Sequence, residues 1–176
     1  MKIHALLDED LVLPRLAARL TELGYQTNPP DRLLGITPAR QSAWLQQAAY
    51  LAWRDGRVRN LTQYVWQDEP VSRDGSYSGW QSGMRFADGR AKPALAHFAM
   101  PFFLDAPRDR LWGQVRPGED HVVRVLRRLR GSSAWRPLDT LRTDVRGYWS
   151  KRLRLVRGAS YRFESDGKLS AVIRAR

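Results

Sequence analysis

The chain contains no cysteine. That removes disulfide frameworks, thiolate metal sites and cysteine nucleophiles together, and it leaves the compartment open. Histidine is nearly as scarce, and His4, His97 and His121 stand apart with no HxH or HExxH spacing, so no metal site is expected. There is no GxGxxG or GxxxxGK run, which excludes the usual phosphate-cradling loops and gives no reason to expect a cofactor. The Ser- and Gly-rich stretch at 72–82 contains no GxSxG, so a serine-hydrolase reading has no support. No apolar run approaches the roughly 20 residues that span a bilayer. The opening MKIHALLDEDLVLP cuts its short apolar run with acidic residues, unlike a signal peptide. As written, the sequence reads as cytoplasmic and without membrane insertion.

Lysine is the next scarcity: 26 of the 30 basic residues are arginine. The net charge of +12 is also uneven, with 13 basic and 12 acidic side chains in residues 1–109 against 17 and 6 in residues 110–176. An arginine bias spread through every segment fits coding composition as well as it fits a selected patch. The densest run is VVRVLRRLRG at 122–131, where strand alternation puts Arg124, Arg128 and Arg130 on one face as candidate anion-binding positions for phosphate or acidic polysaccharide. No helix-turn-helix, zinc-finger or RNA-binding signature accompanies this charge, so nucleic acid ranks behind carbohydrate as a partner.

What is present falls into two textures. Around Leu11 to Leu23 the leucines recur at helical spacing and Gly24 supplies a stop, yet the same residues fit a strand ending in TELGYQT, and both readings stay open. Thr37 is an N-cap with Pro38 at the first helical position, and a helix follows to Arg54. Its Trp44 and Trp53 read as packing residues. Residues 60–66 read as a buried strand, residues 71–93 as an aromatic, Gly-rich structured loop, and KPALAHFAMP as a short helix. From Leu111 onward apolar and polar residues alternate in short runs, with turn signals at 117–118, 131–132, 144–147, 158 and 166–167. About six strands at that spacing suggest a small β-sandwich, with its boundary near 105–110.

Together LTELGYQTNPPD (20–31), PARQSAWLQQAAYLAWRDGRVRNLTQYVWQDEP (38–70) and GWQSGMRFADGRAKPALAHF (79–98) resemble the last two βα units of clan A (β/α)8-barrel glycoside hydrolases, cellulase-like enzymes of the secreted bacterial type. WGQVRPG resembles the start of the accessory β-sandwich that follows such barrels. The resemblance implies an α/β plus all-β fold: a partial TIM-barrel remnant over residues 1–106, then a small Ig- or fibronectin-like β-sandwich over 107–176. It implies Glu22 as nucleophile and Trp66 as the floor of a sugar subsite. Tyr25 and Gln63 would be hydrogen-bond donors near them, and Tyr77 and Trp80 sugar contacts from the Gly-rich loop. A retaining glycosidase needs two carboxyl groups about 5 Å apart. The acid/base of the family comes from an earlier strand, and Asp68 and Glu69 read as a solvated loop pair. The expectation is therefore the C-terminal fragment of a retaining glycoside hydrolase, inactive alone. The alternative is a noncatalytic glycan-binding or basic nucleic-acid-binding module, and unpaired strand edges would favour self-association.

Overall fold

The structure, a computed structural model, describes residues 17–71 and 79–176. The first helix, α1 (Pro38–Arg54), starts where its cap dictates: the Thr37 side chain accepts the Arg40 N–H at 3.2 Å, and Pro38 needs no donor of its own there. It connects two parallel strands, β1 (Ala18–Leu23) and β2 (Val58–Gln63). β1 settles the helix-or-strand alternative for the described part of that segment in favour of strand. β2 begins and ends earlier than the sequence pattern suggests, because Tyr64 N–H closes onto Leu23 O and the chain then turns into a loop. The helix α2 (Pro93–Phe98) follows that loop and packs against α1.

The remaining elements are antiparallel. β3 (Phe102–Asp105), β4 (Arg110–Gln114) and β7 (Tyr148–Arg152) form one sheet in the order β3-β4-β7. β5 (Val122–Arg128), β6 (Arg136–Arg142), β8 (Ser160–Ser165) and β10 (Ile173–Arg174) form the other in the order β10-β8-β5-β6, with β9 (Lys168–Leu169) also on β8. Turns between these strands use Gly131, Gly147, Gly158 and Gly167, all at positive φ, as the turn signals require. Alternation along β5 and β8 buries Val123, Val125, Tyr161 and Phe163 against Phe102, Leu111 and Trp149 from the opposing strands. Phe102, Trp149 and Phe163 meet with ring centroids 5.1–5.9 Å apart. Gly113 makes that contact possible, since a Cβ there would sit 2.5 Å from Trp149 Nε1.

These findings correct the expected fold class. Helix takes up 17% of the described residues and strand 36%, so this is a small, mainly sheet α/β protein rather than a TIM-barrel remnant joined to a sandwich. The parallel sheet among the described residues has only two strands, and a barrel needs a closed ring of them. The β3–β4 hairpin runs through position 106, and a second cluster of Tyr50, Trp53, Trp112 and Tyr148 ties α1 to the β3-β4-β7 sheet. Tyr50 anchors that cluster further by donating its hydroxyl to Asp105 at 2.5 Å.

Candidate functional site

The loops that leave the C-terminal ends of β1 and β2 are held by a buried polar network. Lys92, just ahead of α2, sends its ammonium into the interior, where Nζ donates to Thr27 Oγ1 and Asp68 Oδ1 at 2.7 Å each and to Gln81 O at 3.0 Å. Both members of the Lys92–Asp68 pair are almost fully shielded from solvent. Asp68 Oδ1 also accepts the Gly83 N–H at 2.8 Å. Desolvation pushes Asp68 above the ordinary carboxylate value and Lys92 below the ordinary lysine value, while their mutual hydrogen bond opposes both shifts.

Two glutamines extend the frame. Gln41, buried on α1, donates to the carbonyls of Tyr25, Ser82 and Gly83. Gln63, at the end of β2, donates to those of Tyr64, Val65 and Ser82. Gly24 lies where the loops come closest, since a Cβ there would meet Tyr64 O and, at 2.6 Å, Ser82 Cβ. Irregular backbone at this end is thus satisfied by side chains in place of ladder bonds.

On this frame stand the aromatic residues. Trp66 is 58% exposed and Trp80 is 52% exposed. Trp66 O accepts the Met84 N–H, and Trp80 O accepts the Glu69 N–H, so both backbones are fixed while both indoles face solvent. The Trp80 ring meets Tyr64 edge to face at 5.9 Å. Tyr25 is half-buried against Trp44 at 5.3 Å, and burial raises its phenol above the usual value. Trp44, expected as packing, is instead 40% exposed. Asp31 Oδ1 caps the Leu33 and Leu34 N–H groups and presents both leucines to solvent in the loop after β1.

The expected site residues therefore fall into distinct roles. Glu22 is exposed on β1, in the stretch where the β1–β2 register shifts. Trp66 and Trp80 both lie in the connection between β2 and α2, Tyr25 packs on Trp44 in the loop after β1, and Gln63 is occupied as a scaffold donor. Tyr77 lies outside the described residues. Asp68, expected as a solvated loop carboxylate, is buried and ion-paired. Of the basic trio, Arg124 pairs with Glu164 at 2.7 Å and Arg128 stacks over Trp135 at 4.8 Å, leaving Arg130 exposed without an ion pair among the described residues. Trp135 is held between Arg128 and Arg162.

His97 on α2 receives or gives a hydrogen bond at 2.8 Å with Ser42 Oγ on α1, and burial lowers its pKa. Among the described residues no group of three His, Cys, Asp or Glu side chains gathers, and no helix is long and apolar enough to cross a membrane. Sequence reasoning missed the Lys92 network. Its signal is Lys92 itself, one of four lysines among 26 arginines, at a place where three convergent acceptors suit a compact ammonium better than a planar guanidinium. In comparisons with known proteins, no family model matches the chain and no curated sequence matches it.

Proposed function

We propose that this chain recognises carbohydrate through a platform made by Trp66 and Trp80, with Tyr25 and Glu22 at its border. The supporting observation is the exposure of both indoles on loops whose backbones are fixed by the buried Lys92–Asp68 pair. The apolar C–H faces of sugar rings suit a planar indole presented on a fixed backbone. The resemblance of LTELGYQT and QYVWQDEP to glycoside hydrolase segments supports the same class of ligand.

Recognition without hydrolysis is the form this reading takes. Retaining hydrolysis needs a second carboxyl group about 5 Å from the first, and Asp68 is consumed by Lys92. Retention on an insoluble neutral glycan, followed by titration with its soluble oligosaccharide, tests the platform. Trp66→Ala and Trp80→Ala are each expected to weaken binding about tenfold, the effect of losing about 1.4 kcal/mol at an aromatic anchor. Equal retention of the variants, or no retention of the unaltered chain on neutral glycans, overturns the proposal.

A further inference from the structure

A second site lies away from that platform. Between the end of α1, β2 and the outer side of β4 and β7 is a cleft of about 430 Å³, large enough for a small molecule. Neither Trp66 nor Trp80 lines it. Three arginines do, Arg59, Arg116 and Arg146, and no aspartate or glutamate is among its lining residues.

Elsewhere on the protein some exposed arginines find carboxylates, as Arg57 does with Asp55, Arg90 with Asp88, Arg124 with Glu164 and Arg142 with Asp120, while others such as Arg130 stand in open solvent. The three cleft arginines form no ion pair among the described residues. Arg116 is aimed by neutral groups only. Its Nε donates to Gln114 Oε1 at 2.8 Å, Nη1 donates to Phe98 O at 3.0 Å, and the guanidinium lies 4.5 Å over the Phe98 ring. Desolvation draws Arg116 below the ordinary guanidinium value, opposed by the nearby Tyr148 hydroxyl. Arg146 is placed 5.5 Å over Tyr148, whose ring stands 6.5 Å from that of Trp53. The cleft therefore joins a concentrated positive potential to an aromatic wall. A low-dielectric recess lined by one sign of charge focuses its field on a ligand of the other sign, and arginine forks match carboxylate or phosphate oxygens in pairs.

We propose that this cleft binds a small anionic ring compound, its carboxylate or phosphate held by Arg59, Arg116 and Arg146 and its ring against Trp53 and Tyr148. The site is independent of the carbohydrate platform.

The test is isothermal titration calorimetry of the full chain at low ionic strength with glucuronate, glucose 6-phosphate and glucose. At least one of the two anions is expected to saturate a single site, and which one does so distinguishes a carboxylate from a phosphate ligand. Glucose is expected to show no saturation. Arg59→Gln and Arg146→Gln are each expected to weaken the anion at least tenfold, with thermal melting confirming that both variants fold. Arg154→Gln, an exposed arginine outside the cleft, is expected to change binding less than twofold. Saturation by neither anion, equal binding of glucose, or equal weakening by all three substitutions overturns the proposal.

Discussion

Lys92→Met offers the sharpest test of how the loops are held, because it keeps most of the stem and deletes only the ammonium. Three acceptors lose the Lys92 donor at once, Thr27 Oγ1, Asp68 Oδ1 and Gln81 O, the last keeping the Thr27 N–H and hydroxyl. Asp68 keeps the Gly83 N–H but becomes a buried charge with no cation beside it. Removing one partner of a buried ion pair costs about 3–5 kcal/mol, whereas neutralising both is far milder. Asp68→Asn retains an oxygen for Gly83, so Lys92→Met combined with Asp68→Asn is expected to recover at least about 1 kcal/mol relative to Lys92→Met alone. For a chain of this size 1 kcal/mol moves Tm by about 2–4 °C, so the single variant should melt roughly 10 °C lower.

The pH response adds an independent check. Burial already raises Asp68, and without Lys92 only the Gly83 N–H opposes that shift, so the folded state holds its proton more tightly than the unfolded state. A carboxyl raised in this way destabilises the fold above its unfolded pKa and ceases to do so as it takes up a proton. The Lys92→Met variant should therefore lose less stability, relative to the unaltered chain, as pH falls toward the carboxylate range. Urea unfolding followed by tryptophan fluorescence reads both effects. A single variant within 1 kcal/mol of the unaltered chain, or a double variant no more stable than the single one, would refute the account of Lys92 as the clamp of these loops.

His97 provides a second titration with a simpler sign. Burial lowers its pKa, so below about 6.5 the unfolded chain takes up a proton that the folded chain resists, and stability falls with pH. The slope should lie below the ~1.4 kcal/mol per pH unit that one full proton sets, and it should largely vanish in His97→Asn when urea midpoints are compared between pH 7 and 5. An unchanged slope in the variant would assign the effect to another group. For Glu22, no turnover of an aryl glycoside is expected from the 176-residue chain. Hydrolysis that disappears in Glu22→Gln would show that a second carboxyl group does reach it.

How far the sequence could be read depends on the range over which each signal acts. The start of α1 is set within four residues by Thr37, Pro38 and the Arg40 N–H, and the turns at Gly131, Gly147, Gly158 and Gly167 by single backbone conformations. Such features are legible because no distant residue decides them. A strand, helix and parallel strand in succession look alike locally whether the sheet has two strands or eight, so the pattern at 18–63 carried no information on sheet size. A resemblance supplied the barrel in its place, and the fold corrects it.

The candidate site divides along the same line. Trp80 was placed in the Gly-rich loop and Trp66 at the end of a strand read as buried, and the support beneath both was not legible. Lys92 meets Asp68 across 24 residues and Thr27 across 65, through segments with no periodicity to propagate a pattern. The scarcity of lysine was visible all the same. In a chain that uses arginine for nearly every surface cation, an ammonium kept beside Pro93 points to a setting where the guanidinium fork does not fit. Three oxygens converge there within 3.0 Å of one nitrogen, a geometry that suits a rotatable ammonium and excludes a plane. Arg59, Arg116 and Arg146 differ in that they line an open cleft, where a planar guanidinium has room for paired oxygens. The choice between the two cations thus separates the buried clamp from the cleft proposed to bind an anion.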